Sequence, residues 1–219
     1  MYSRLSDSNE IMTHRFEETL LACPVIAILR GVTPKKVIDV CKSLIETGVK
    51  IIEVPLNSPE PYASIELIKN TFEKQILCGA GTVSNVQQIH NVRLAGGDIA
   101  LSPHMDTKII DACFQKEMLY LPGIATPTEA FAAIQAGAKY LKVFPAVSLD
   151  TSFVSALQAV IPPKIKLIAV GGLTPGSITQ WLQAGACGVG IGSDLYHPND
   201  NNIDFEQKLT QLRKALAAH

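Results

Sequence analysis

Short apolar runs return along this chain at an almost fixed interval, and that rhythm leaves few folds open. They begin at Val25, Ile51, Ile76, Ile99, Leu119, Tyr140, Leu167 and Gly188, twenty to twenty-seven residues apart. The stretches between them carry helical spacing, as at Val37, Val40, Cys41, Leu44 and Ile45, at Ile109, Ala112 and Cys113, and at Ile178, Trp181 and Leu182. Gly48, Gly97, Gly137 and Gly185 stand just ahead of strands, where a helix C′ position asks for positive φ. Thr33-Pro34, Thr126-Pro127 and Thr174-Pro175 follow strands as N-cap and N1 pairs. Strands apolar on both faces, alternating with amphipathic helices, require a parallel sheet covered on both sides. Eight of them predict an α/β fold, a closed (β/α)8 TIM barrel, with its site at the C-terminal ends of the strands.

The competing architecture is a doubly wound open sheet. No strand here is followed by G-x-G-x-x-G with an acidic residue ~20 positions on, and Gly79-Ala80-Gly81 lacks both the third glycine and that acid. Asp7 to Ala22 adds an extra N-terminal helix, and Asp204 to Ala218 reads as the last barrel helix. Residues 1–219 are expected to form one barrel domain with its core at about 24–196.

Composition removes several function classes. Nineteen basic against 20 acidic residues give a formal charge of −1, without the basic footprint of a nucleic-acid binder. No apolar run reaches the ~18–20 residues of a membrane span, and Met1 to Glu18 lacks the apolar stretch of a secretory signal. Cys23, Cys41, Cys78, Cys113 and Cys187 are odd in number and widely spaced, which favours reduced, buried thiols and a cytoplasmic setting over a disulfide framework. His14, His90, His104, His197 and His219 never pair at ligand spacing, so no metal or other cofactor is expected. His104-Met105-Asp106 reads as a polar loop.

Two strands break their own pattern. Ile51-Ile52-Glu53-Val54 and Tyr140-Leu141-Lys142-Val143-Phe144 each place a charge inside an otherwise apolar run. Buried charge is costly unless paired or used. Such a pair serves either architecture, as a closed ion pair, or chemistry. In the chemical case desolvation makes the lysine a neutral nucleophile toward carbonyls, and the glutamate moves protons. Arg30 ends the first strand, where a guanidinium fork suits a carboxylate or a surface salt bridge. Thr82, just past the third strand, offers either a ligand hydroxyl or a helix cap. Gly171-Gly172 and Gly192-Ser193 follow the last two strands. They are either tight turns or backbone N–H cradles for phosphate, strengthened by a following helix N-terminus.

At these residues the chain resembles a known family. Ile28-Leu29-Arg30-Gly31, Glu53-Val54-Pro55-Leu56-Asn57-Ser58, Gly79-Ala80-Gly81-Thr82-Val83, Leu121-Pro122-Gly123, Leu141-Lys142-Val143-Phe144-Pro145-Ala146, Gly171-Gly172 and Gly192-Ser193 stand in order between Pro24 and Tyr196. They are similar to motifs of the class I aldolases that split 2-keto-3-deoxy-6-phospho-sugar acids, the phosphogluconate and phosphogalactonate aldolase family. The resemblance implies Lys142 as Schiff-base lysine and Glu53 as general acid/base. It implies Arg30 and Thr82 as substrate ligands, and Gly171, Gly172, Gly192 and Ser193 as phosphate ligands. It further implies a homotrimer of barrels acting on a phosphorylated 2-keto-3-deoxy sugar acid.

Pro55-Leu56-Asn57-Ser58-Pro59, Ala169-Val170-Gly171-Gly172 and Gly192-Ser193-Asp194-Leu195-Tyr196 resemble the galactonate-type members. Gluconate-type members tend to carry arginine where Asn57 stands and Pro-Thr where Ala169-Val170 stand. The expected reaction is cleavage of 2-dehydro-3-deoxy-6-phosphogalactonate to pyruvate and glyceraldehyde 3-phosphate. The C4 epimer, the gluconate, and 4-hydroxy-2-oxoglutarate are competing substrates. A phosphosugar isomerase or decarboxylase would also account for the loop glycines, but it leaves Lys142 without a covalent role. A noncatalytic phosphosugar-acid sensor would have no use for an intact Glu53 and Lys142.

Overall fold

A computed structural model describes residues 7–218. Met1–Ser6 and His219 lie outside the described residues, and with them the first part of the polar leading segment and the last histidine. Nine strands make one sheet: β1 (Val25–Ile28), β2 (Ile51–Pro55), β3 (Leu77–Gly81), β4 (Ile99–Leu101), β5 (Leu119–Leu121), β6 (Gly123–Ile124), β7 (Tyr140–Val143), β8 (Lys166–Val170) and β9 (Ala186–Ile191). Every pairing is parallel, in the order β5-β4-β3-β2-β1-β9-β8-β7-β6.

The fifth of the eight expected strands is divided. Pro122 has no N–H to give a ladder, so β5 pairs with β4 while β6 pairs with β7. The Pro122 carbonyl accepts the Lys142 N–H at 2.8 Å, and the Gly123 N–H turns to the His104 carbonyl at 3.1 Å. The two ends of the strand order are therefore halves of one run, and the sheet curls round into the expected (β/α)8 barrel.

Its helices are α1 (Asp7–Ala22), α2 (Pro34–Glu46), α3 (Pro61–Phe72), α4 (Val86–Leu94), α5 (Thr107–Gln115), α6 (Pro127–Gln135), α7 (Ala146–Gln158), α8 (Ile178–Gln183) and α9 (Asn202–Ala217). Three of the four glycines expected at C′ positions have positive φ, namely Gly48, Gly137 and Gly185. At α4 the left-handed residue is Gly96 (φ 82°) instead of Gly97. Gly97 is needed for clearance, since a Cβ there would sit 2.5 Å from Val92 Cγ1.

Strand parity divides the core in two. Ile52, Val54, Cys78, Ala80, Leu141 and Val143 face the helices in one continuous cluster. Ile26, Ile51, Leu77, Ile99, Leu119 and Tyr140 face the barrel axis, where Phe16 and Leu20 of α1 join them. Phe16 meets the Tyr140 ring edge-on, with centroids 4.8 Å apart. The extra helix thus packs against the inner residues of the barrel and completes an apolar floor.

Candidate active site

Side chains alternate along a strand. Glu53, two residues beyond Ile51, and Lys142, two beyond Tyr140, therefore point into the barrel directly above that floor. In register, Glu53 lies between Ile28 of β1 and Gly79 of β3, and Lys142 between Gly123 of β6 and Ile168 of β8. They are 1% and 5% exposed. Burial pushes the Glu53 carboxyl up to about 7, against the opposing pull of the Lys142 and Arg30 charges and a Gly81 backbone hydrogen bond. Burial likewise pulls the Lys142 ammonium down, with Glu53 opposing and Arg30 adding to it.

The pair does not close. No ion-pair contact joins the two, and Glu53 Oε2 is buried without a hydrogen-bond partner. Lys142 Nζ stands 4.8 Å from the centre of the Phe144 ring. An architectural ion pair would be closed and its lone pairs satisfied. An open couple, each member displaced toward neutrality, suits an amine that must add to a carbonyl and a carboxyl that must exchange protons near pH 7.

One contributor was not singled out by the sequence. A Cβ built on Gly81 would fall within the Glu53 carboxylate, overlapping both oxygens. The carboxylate lies where only glycine leaves room. Glycine at an inward position of a buried strand is the sequence signal for such a close approach.

Arg30, Thr82 and Asn57 form a second group at the strand ends. Arg30 Nη1 donates to Asn57 Oδ1, and Nη2 to Thr82 Oγ1 at 3.3 Å. Among the described residues Arg30 makes no surface salt bridge. Thr82 caps no helix either, because the N-cap of α4 is Asn85, whose side chain accepts the Gln88 N–H at 3.0 Å. Thr82 holds φ 59°, which a β-branched residue adopts only under strain.

The glycine loops present backbone donors. The Gly171 carbonyl accepts the Val147 N–H at 3.1 Å, and the Gly192 carbonyl accepts those of Leu195 and Tyr196 at 2.8 and 2.9 Å. In a trans peptide the following N–H points the opposite way, so the Gly172 and Ser193 N–H groups are turned from these partners. Among the described residues they donate to no acceptor. The expected helix dipole is missing behind Gly192-Ser193, where a turn and loop run to α9. A three-residue 3-10 turn, Pro175–Ser177, follows Gly171-Gly172. The unengaged donors here are those of single peptides, with no long helix behind them. Ser193 is exposed, its hydroxyl donating to Asp194 Oδ2 at 3.4 Å.

The remaining candidates resolve as structure. Asp106 caps α5, accepting the Lys108 N–H at 2.8 Å. All five cysteines are free thiols, and burial lifts Cys41 and Cys187 to about 12. Among the described residues no group of three or more His, Cys, Asp or Glu could hold a metal ion, and no helix is long and apolar enough to cross a membrane.

An amine and a carboxyl held open to each other inside a parallel barrel, below loops of unengaged N–H groups, are the parts that lyase chemistry by an amine on a small anionic carbonyl compound requires. The chain belongs to the KDPG and KHG aldolase family, whose model matches residues 16–212. It is a class I aldolase, a carbon–carbon lyase. It is 40% identical over 192 residues to the 2-dehydro-3-deoxy-6-phosphogalactonate aldolase of Escherichia coli K12, covering 88% of this chain and 94% of that one. A solved structure described as native KDPGal superposes with a TM-score of 0.85 at 37% identity, over 89% of this chain and 95% of that one. The KDPG aldolase of Legionella pneumophila, with pyruvate captured as a covalent carbinolamine, superposes with a TM-score of 0.78 at 25% identity, over 92% and 96%. A carbinolamine is what an amine and a ketone form on the way to an imine.

Proposed function

We propose that this protein cleaves 2-dehydro-3-deoxy-6-phosphogalactonate to pyruvate and D-glyceraldehyde 3-phosphate, with Lys142 as the covalent amine and Glu53 as the proton carrier. The observation that carries this reading is the open, desolvated Glu53–Lys142 couple on the barrel floor. Neutral Lys142 adds to the C2 ketone, and Glu53 protonates the carbinolamine hydroxyl, which leaves as water to give a protonated imine. Glu53 takes the proton of the C4 hydroxyl, the C3–C4 bond breaks, and its electrons pass to the iminium nitrogen. The aldehyde departs. Glu53 then returns the proton to C3 of the enamine, and water hydrolyses the protonated imine to release pyruvate and the free amine, the proton freed in that step going back to Glu53. The iminium is the electron sink, so the cleavage asks nothing of a metal.

In this reading Arg30, pre-set by Asn57, and Thr82 bind the substrate carboxylate, while Gly171, Gly172, Gly192 and Ser193 bind the phosphate. The galactonate configuration is supported by the 40% identical relative and by Asn57 and Ala169-Val170, where gluconate-type members carry other residues. We extend the reading to a homotrimer, a usual form of the family, to action in the cytoplasm, which suits five free thiols, and to residues 1–219 working as one barrel domain.

Trapping tests the covalent step. Pyruvate with borohydride should leave one adduct per chain, on the peptide containing Lys142, and Lys142→Ala should abolish it in a folded protein. A label on Lys139 or another lysine would overturn the assignment.

A further inference from the structure

Lys208 lies on α9, far in sequence from the strand-end residues of the site, yet its ammonium reaches the loop that follows β9. It donates to the Ser193 carbonyl at 2.7 Å and to Asp200 Oδ2 at 2.8 Å. Asp200, its side chain 14% exposed, also accepts the His197 N–H at 2.9 Å. Lys36 of α2 ties the same segment by donating to the Pro198 carbonyl at 3.2 Å. Pro198 in turn covers Gly31, next to Arg30, where a Cβ would come within 2.9 Å of Pro198 Cγ.

The bond to Ser193 has a directional consequence. C=O and N–H of one trans peptide point oppositely. With the Ser193 carbonyl drawn outward to Lys208, the Asp194 N–H is turned away from α9, the helix outside the barrel. It has no acceptor among the described residues, and neither has the neighbouring Ser193 N–H. Two adjacent peptides are thereby fixed with their donors free, one by Leu195 and Tyr196 and the other by Lys208.

We propose that Lys208 is a positioning residue for the substrate phosphate: by holding the Ser193 carbonyl it aims the Asp194 N–H into the phosphate cradle. This rests on the phosphate reading given above. Asp200 keeps the ammonium in place, and a peptide flip that would bring the Ser193 carbonyl oxygen toward the anion is suppressed. The lysine–aspartate pair, its side chains 23% and 14% exposed, holds the loop in place; the carbonyl that Lys208 also holds gives it a role in binding.

The test is Lys208→Met, which keeps the apolar stem and removes the donor. With the phosphorylated substrate KM should rise about tenfold or more, the worth of one hydrogen bond to a charged group, while kcat falls less than threefold. Pyruvate–borohydride trapping should proceed at the wild-type rate, since pyruvate carries no phosphate. A folded variant with KM within twofold of wild type overturns the proposal, as does a loss of trapping equal to the loss of turnover. If Lys208→Met does not fold, Lys208→Gln, whose shorter amide falls short of Ser193, is read by the same criteria. Failure of the underlying reading looks different: wild type itself would cleave the unphosphorylated acid as well as the phosphorylated one.

Discussion

Replacing Gly81 by alanine should disable proton transfer while leaving Schiff-base formation intact. The added Cβ falls within the Glu53 carboxylate. The backbone of residue 81 cannot retreat, since it pairs with Pro55 in the ladder and its carbonyl accepts the Leu56 N–H at 2.9 Å. The flexible end of Glu53 must move instead, by on the order of 1 Å to regain ordinary contact, and a misplacement of that size costs about 10²-fold in rate. Overpacking of this kind destabilises by about 1–3 kcal/mol, a fall in Tm of roughly 2–10 °C for a chain of this length. Coupled measurement of pyruvate release should give a kcat reduced ~100-fold, with borohydride trapping on Lys142 retained. Adding Glu53→Gln should lower kcat little further, because both changes remove the same function. A folded Gly81→Ala enzyme within fivefold of wild-type kcat would refute the argument, and so would a double mutant whose losses multiply.

Glu53→Gln alone should keep imine formation and lose ~10²–10⁴-fold in turnover, as expected for a general base, measured by the same pair of assays. The substitution should also stabilise the fold at neutral pH. A carboxyl whose folded pKa is raised to about 7 from 4.5 binds protons more tightly when folded, so its contribution falls as pH rises between those values. The gain in Tm should therefore be full above pH 7 and vanish below about 4.5, as thermal melts across pH will check. Ser193→Asp should raise KM for the phosphorylated substrate by setting a negative charge against it, and an unchanged KM would remove that loop from the phosphate site. Between C4 epimers, kcat/KM should favour the galactonate. Equal values, or a gluconate preference, would show that Asn57 and Ala169-Val170 do not select the substrate.

The barrel and its buried charged pair are legible because both are written in one-dimensional pattern. Apolar runs at steady intervals announce buried parallel strands, and Glu53 and Lys142 stand out as charges in places where a strand should have none. What pattern does not encode is proximity between distant residues. Asn57 is visible as a departure from the gluconate type, but its bond to Arg30 depends on two strand ends meeting. Gly81 is visible as part of a motif, whereas its clearance for Glu53 depends on the register of β2 against β3. The divided fifth strand follows from Pro122, whose missing N–H interrupts the ladder while leaving the spacing of the apolar runs untouched. The helix dipole expected behind Gly192-Ser193 is absent for a reason the sequence does carry: the Pro-Asn-Asp-Asn stretch from His197 to Asn202 reads as a loop, and a turn and that loop run from Gly192 to α9.

The apolar floor beneath the pair carries a cost for evolution. In most proteins the identity of a core isoleucine matters for stability alone, and neutral drift among similar side chains is free. In the proposed reaction Ile51, Tyr140 and Phe16 also belong to the apolar surroundings in which burial shifts Glu53 and Lys142 toward their neutral forms. A change that admits a single water molecule returns both groups toward their ordinary ionisation, however well the barrel still folds. On the proposed reaction, catalysis constrains residues that never touch substrate, including those of α1, and a stabilised variant chosen by melting temperature alone can drift out of register with its own chemistry.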